Sequence, residues 1–215
     1  MSNVGRTVTL CLAFVALVIG LFFHSKMRVP VLSDDELRDL GVFVLPRPRE
    51  LSPFALEAHD GKPFDVSALE GRWSFLFFGF THCPDICPTA MAAMGAAERQ
   101  IQEAGANDDD QPFFGILVTV DPERDDAATL ARYVQGFSPR FAGVRGEREA
   151  LAAFAGEVNV AFAQVPDPSG QNPYQVDHTG NIVIINPRGH YHGFMRMPHK
   201  PENIVAAYRT LVATF

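Results

Sequence analysis

WSFLFFGFTHCPDICPTAM, residues 73–91, is the stretch whose reading decides the fold of this 215-residue chain. Its first eight residues form an almost continuous apolar run of strand length, as expected for a central strand covered on both faces. The run passes directly into THCPDICPT, residues 81–89. From Ile86 to Ala104 the positions Ala90, Met94, Ala97, Ile101 and Ala104 then recur at spacings of four, three, four and three. That period marks an amphipathic helix, and Gly105 stops it.

Working outward, FFGILVTV at 113–120 reads as a second buried strand, with further helices at about 126–136 and 147–158. IVIIN at 182–186 and HYHGF at 190–194 flank Pro187-Arg188-Gly189, an antiparallel hairpin. Pro201 opens a last helix with the stripe Ile204, Tyr208, Leu211 and Phe215. Upstream, FALEA at 54–58 runs into His59-Asp60-Gly61-Lys62-Pro63, the turn chemistry of an opening hairpin. The alternation of strand and helix predicts an α/β, thioredoxin-like fold with an N-terminal hairpin extension. There is no internal repeat, and the low-complexity stretch is the loop 107–111.

The composition, 47% hydrophobic and 20% charged, is that of one globular domain with an appendage. A net charge of -7 without a basic cluster offers nothing to a phosphate backbone and excludes nucleic acid as an expected partner. No extended apolar stripe is left over on the domain, which predicts a monomer.

The appendage is TVTLCLAFVALVIGLFF, residues 7–23, uncharged and at the lower length limit for a transmembrane helix. Arg6 supplies a basic flank, but FFHSKM carries no small-x-small cleavage site, so an uncleaved anchor over residues 1–28 is favoured over a removed signal peptide. Leu10 ahead of Cys11 opposes a lipoprotein signal. Arg6 before the span and Lys26 and Arg28 after it leave the orientation undecided by charge. Residues 29–48, with Pro30, an acidic patch at Asp34, Asp35 and Glu36, and PRPRE beginning at Pro46, read as a linker with a helical turn at 33–40. The domain is expected over 49–215.

With Cys11 inside the anchor, cysteine chemistry falls to Cys83 and Cys87. Two cysteines four apart at a helix start face one side, within reach of one metal ion or of each other. Backbone N–H groups and the helix dipole favour a thiolate there. Spacing alone leaves open a structural disulfide or plain burial. Pro84, Pro88 and the strand-to-helix switch add weight to a functional role.

The candidate third donor is His178 in YQVDHTGNIVIIN, 91 residues after Cys87, on the segment entering the hairpin strand. Thioredoxins carry a cis-proline there; this chain has His178-Thr179, which favours a metal over simple disulfide exchange. Two sulfurs and an imidazole suit copper, Cu(I) especially and Cu(II) as well, whereas zinc usually wants a fourth ligand. His82 is placed to orient the cysteine loop, and His24 and His59 read as surface residues. His190, His192, Met195, Met197 and His199 present either a solvated strand face, the commoner case, or an auxiliary soft-metal site. Asp85 reads as a helix cap or as a group tuning the thiolates, and Asp121 as a cap and turn residue.

GKPFDVSALEGRW, FLFFGFTHCPDICPTAM, VTVDPERDDAATLARYV and VDHTG, in this order, resemble the successive motifs of the Sco/SenC proteins over about residues 50 to 215. The resemblance implies that Cys83, Cys87 and His178 bind copper. It also implies a role in maturing the binuclear copper site of cytochrome c oxidase subunit II, with an upstream periplasmic copper donor. Such proteins are anchored by one N-terminal helix, and six residues ahead of the span leave no room for a mitochondrial presequence. A bacterial inner membrane with the domain in the periplasm is therefore expected. Two activities fit: a metallochaperone without catalytic turnover, or a thiol-disulfide oxidoreductase that reduces the oxidase cysteines through the Cys83 and Cys87 pair. A peroxiredoxin-like peroxidase would need a different cysteine context.

Overall fold

A computed structural model describes residues 3–27, 31–105, 112–167, 170 and 173–215. The predicted buried run is β4 (Trp73–Gly79), every residue of which is buried. It pairs in parallel with β5 (Phe113–Thr119), Trp73 opposite Phe113 and Gly79 opposite Thr119. On its other side it is antiparallel to β9 (Ile182–Ile185). Covered on both edges and both faces, β4 is apolar apart from the small Ser74, which is why its sequence does not alternate. Trp73, Phe75 and Phe77 share one face by the period of two. Phe75 meets Phe113, which in turn meets Tyr208 of α6 (Pro201–Thr214). On the opposite face Phe78 meets Phe154 of α5 (Arg148–Glu157).

α3 (Ile86–Glu103) follows β4 after a six-residue loop, and Gly105 beyond its end takes φ +63, the left-handed conformation that terminates a helix. Pro88 lies in the first turn, where its missing N–H has no intrahelical acceptor to lose. β5 leads through α4 (Ala127–Gln135) to β6 (Ala142–Arg145), parallel to β5, and then to α5. The opening hairpin is present as β2 (Leu56–Ala58) and β3 (Pro63–Phe64), and β2 extends the sheet beyond β6. β9 and β10 (Tyr191–Met195) form the closing hairpin. Gly189 in its turn takes φ +74, a conformation in which a side chain would be strained.

Two segments depart from expectation. The stretch expected as a linker, 29–48, carries α2 (Asp34–Asp39) and β1 (Val42–Arg49). Ser33 and Glu36 form a reciprocal capping box at the expected helical turn. β1 pairs antiparallel with β10, Val42 opposite Met195, and makes the edge of an eight-stranded sheet of order β1-β10-β9-β4-β5-β6-β2-β3. Leu32 N–H donates to Thr210 Oγ1 at 3.2 Å, so the attachment to α6 begins well ahead of residue 49. Edge strands tolerate proline, and Pro46 and Pro48 made β1 look like spacer. The second departure is β7 (Phe162–Val165) with β8 (Gln175–His178), an unforeseen hairpin outside the main sheet. Part of the loop between them, and the stretch 107–111, lie outside the described residues.

The expected anchor lies within α1, a continuous helix of 25 residues, Asn3–Met27. Among the described residues no helix is long and apolar enough to cross a membrane. The side chains of α1 are described only from residue 5 to residue 20, short of the end of the apolar run, and there Leu10, Leu12, Phe14 and Leu17 stand exposed.

Candidate metal centre

The C-terminal end of β4 delivers the cysteine loop. Cys87 occupies the first turn of α3 and is buried, whereas Cys83, on the loop, is half-buried. Gly79 makes the fit: a Cβ there would stand 2.8 Å from Cys87 Sγ and 3.0 Å from the Phe77 ring. His178 is the last residue of β8, and its ring stands edge-on to Phe77 and Phe80 at 5.7 and 5.9 Å. Cys87 Sγ and His178 Nε2 are 3.4 Å apart. The donor atoms of Cys83, Cys87 and His178 all lie within 4.8 Å of one another, and both thiols are free.

The two sulfurs are electrostatically unequal. A hydrogen bond donated by the Cys87 thiol lowers the Cys83 pKa to about 4, against the opposing effect of burial, and the His178 ring and the N–H groups of Asp85 and Cys87 add to it. The same hydrogen bond, with burial, pushes Cys87 up. One thiolate and one thiol thus share the site. His178 Nδ1 faces the Thr179 carbonyl at 3.2 Å. A carbonyl only accepts, so in the neutral ring Nδ1 carries the proton and Nε2 offers a lone pair toward the sulfurs. Protonated at both nitrogens, the ring donates to the thiolate instead. Soft sulfur and borderline nitrogen donors at this separation fit a copper ion entering between them.

Sequence reasoning missed Asp125. It is fully buried and accepts from Thr81 N–H at 3.1 Å, Thr81 Oγ1 at 2.6 Å and Thr119 Oγ1 at 2.7 Å, fastening the start of the cysteine loop to the end of β5. A buried carboxylate is stable only with such donors, and nothing in the run VDPERDD distinguishes it from its solvated neighbour Asp126, which caps α4. His82 lies 3.7 Å from Asp125 and 3.1 Å from Thr81 Oγ1, beside the loop but largely exposed. Asp85 holds the N-cap position of α3 without a side-chain capping bond. Asp121 is more than a turn residue: it is buried, ion-paired with Arg124, and accepts from Tyr174 Oη at 2.7 Å.

Among the described residues the auxiliary histidines form no group of three with other histidine, cysteine or acidic donors. His192 contacts Asn186 at 3.2 Å and stands edge-on to Trp73 at 4.9 Å. His199 contacts the Gly180 carbonyl at 2.8 Å, Met195 is in the core, and Met197 is exposed beside Gly180. His59 accepts a hydrogen bond from Gly143 N–H at 3.0 Å, so it is a structural residue rather than a purely surface one. The side chain of His24 lies outside the described residues.

The chain is similar to several known proteins. The family profile described as SCO1/SenC matches residues 45–213. The mouse protein "Protein SCO2 homolog, mitochondrial" is 37% identical over 162 residues, 75% of this chain and 62% of that protein, so the chain spans less than two thirds of that relative. A "Putative copper-binding protein" of Stutzerimonas stutzeri is 34% identical over 78% of this chain and 79% of its own length. Among solved structures, Arabidopsis thaliana ScoI with copper bound superposes with a TM-score of 0.69 at 29% identity, covering 76% of this chain and 98% of that one. The fold, the Cys-Cys-His group and the match over residues 45–213 lead to one conclusion: this chain belongs to the SCO1/SenC family.

Proposed function

We propose that this chain binds one copper ion through Cys83, Cys87 and His178 and passes it toward the binuclear copper site of cytochrome c oxidase subunit II. The observation that carries the reading is the convergence of two sulfurs and an imidazole nitrogen within 4.8 Å at the end of β4. The copper-bound ScoI of Arabidopsis thaliana supports the copper site, and the resemblance of the chain's motifs to the Sco/SenC proteins supports the oxidase as its destination. Thiolate donors with a neutral imidazole favour Cu(I) and accommodate Cu(II). The difference in burial gives transfer a direction. Half-buried Cys83 is the ligand an incoming donor displaces first, and Cys87, held beneath Gly79, lets go last.

On this reading residues 1–28 anchor the chain in a bacterial inner membrane, with the folded part in the periplasm as a monomer served by an upstream copper donor. The unbroken apolar run 7–23 inside α1 supports the anchor. The folded unit begins ahead of residue 49, because α2 and β1 pack on it. Alkaline extraction of membranes tests the anchor: full-length chain stays in the pellet, and its release into the supernatant counts against a span.

A second reading is supported by the two free thiols side by side, Cys83 half-buried and Cys87 buried. A half-buried thiolate at Cys83 with a thiol at Cys87 is the arrangement by which a dithiol reduces a disulfide. Cys83 attacks one sulfur of the oxidase disulfide and Cys87 releases it. Two electrons and the Cys87 proton pass to the oxidase, whose cysteines leave as one thiol and one thiolate that takes its proton from solvent, and a Cys83–Cys87 disulfide remains. The readings part at His178. Copper stoichiometry and thiol titration of the reduced full-length chain, beside Cys83→Ala, Cys87→Ala and His178→Ala, decide between them. One copper per chain, lost or strongly weakened in all three variants, is the expected result. No copper, with a disulfide that cycles regardless of His178, establishes the reductase.

A further inference from the structure

His178 reaches the cysteines on an arm that is not part of the main sheet. β7 and β8 form a two-stranded sheet of their own, and an isolated hairpin of this length is marginal in water. What holds it in place is therefore what holds the third donor in place.

The arm is fastened at both ends. At its base Thr179 N–H donates to the Ala161 carbonyl at 2.9 Å, and Ala161 N–H donates to Thr179 Oγ1 at 3.1 Å. Both bonds lie next to His178, and the buried Val176 adds a core contact mid-strand, which leaves the far end of the hairpin to be fixed separately. Toward its far end, Tyr174 Oη donates to Asp121 Oδ1 at 2.7 Å. Asp121 is fully buried just beyond β5, where its own N–H donates to Thr119 Oγ1 at 3.0 Å, so the anchor point belongs to the rigid sheet. Arg124 pairs with the same carboxylate through Nε, and its guanidinium lies over the Tyr174 ring at 4.2 Å and the Phe80 ring at 5.6 Å. Phe80 is also one of the two rings against which His178 packs. One cation is thus held between the hairpin and the strand end that carries the cysteines, in a partly desolvated setting where stacking on aromatic faces is strongest.

We propose that the Tyr174–Asp121–Arg124 clasp is a positioning device for His178. It holds the β7–β8 hairpin in the orientation that sets Nε2 against the two sulfurs, and its strength determines how fully copper is three-coordinate. None of its members touches the sulfurs. When the clasp opens, the hairpin keeps its Thr179 base and the core contacts of Val176 and Phe162 but loses the tie at its far end, and the site falls back toward two cysteine ligands, the form from which a partner's ligands most readily take the ion. The inference rests on the copper reading above.

The test uses the reduced full-length chain in detergent micelles. Tyr174→Phe removes the hydroxyl and keeps the ring; Tyr174→Leu removes both. Hydrogen exchange in the copper-free protein should quicken at the β7 and β8 amides in both variants, more in Tyr174→Leu, while the β4 and β5 amides stay protected. With Cu(II) added, the nitrogen hyperfine structure in the electron paramagnetic resonance spectrum should weaken in the same order. Copper affinity should fall about tenfold in Tyr174→Leu, the range expected when a partner that orients a ligand is lost. His178→Ala, run in parallel, separates the two ways of failing. If His178→Ala loses the nitrogen signal while Tyr174→Leu keeps wild-type exchange, hyperfine structure and affinity, the clasp is purely structural and the proposal is overturned alone. If His178→Ala itself changes nothing, His178 is not a ligand, and the clasp falls with the reading beneath it.

Discussion

Two parts of the molecule carry several soft donors, and they differ in what those side chains already touch. At the end of β4, Cys83, Cys87 and His178 come from a loop, a helix and a separate hairpin, yet their donor atoms lie within 4.8 Å. Along and after β10, His190, His192, Met195, Met197 and His199 are neighbours in sequence, but no three of the histidines or acidic groups there gather. His192 is engaged with Asn186 and Trp73, His199 with the Gly180 carbonyl, and Met195 with the core. Closeness along the chain does not make a site. His192 and His199 are each engaged by a different neighbour, whereas the fold brings three elements together at the end of β4 so that their donor atoms face one another.

The sharpest way to break this contrast is to remove donors from each region in turn. Cys87→Ala should weaken copper binding by more than ~100-fold, beyond what loss of an outer partner causes. His190→Gln combined with Met197→Leu should leave copper stoichiometry and affinity as they are. A competition titration against a chelator reads both, and a copper deficit in the double variant would reinstate the auxiliary site.

A smaller effect probes how tightly the first region is packed. Gly79→Ala sets a methyl 2.8 Å from Cys87 Sγ, with the Phe77 ring also too close to move aside freely. Overpacking of this kind costs ~1–3 kcal/mol, so the urea midpoint should fall and copper binding weaken with it. An unchanged midpoint would mean that the cysteine turn is looser than its contacts imply.

The smallest effect belongs to the second region. Burial lowers His192 from 6.5 to about 4 in the folded protein. Between those values the unfolded chain binds more protons than the folded one. His192 therefore adds stability fully above about pH 6.5, and that stability is lost as the pH falls toward 4. The ring keeps some solvent contact, which reduces the effect to ~1 kcal/mol. His192→Leu should flatten this part of the stability profile; a profile that stays as steep assigns the slope to another group.

Most of the framework was legible in the chain because it is written locally. The unbroken apolar run of β4, the four-three period of α3, the proline opening α6 and the turn at Pro187-Arg188-Gly189 each express a rule that operates within a few residues. β1 was not legible, since Pro46 and Pro48 suit a linker as well as an edge strand, and only pairing with β10 distinguishes the two. Nor was the β7–β8 hairpin, whose four-residue strands lie outside the main sheet and bury Val176 alone. Within the site, the two cysteines were evident from the strand-to-helix switch and His178 from the segment that carries it. Asp125 was not, because its burial is a property of what surrounds it.

By itself the sequence determined the α/β pattern, the placement of Cys83 and Cys87 where a buried strand becomes a helix, and the apolar run at 7–23. Each follows from hydrophobic periodicity and backbone chemistry acting between near neighbours. Only the tertiary structure decided that His178 meets the cysteines while His190 and His192 do not, that Gly79 leaves room for a sulfur, and that Tyr174, Asp121 and Arg124 close over the histidine arm. Those outcomes depend on strand register and on packing, across 53 residues for Tyr174 and Asp121 and 91 for Cys87 and His178, where a shift of one residue would turn every side chain to the other face.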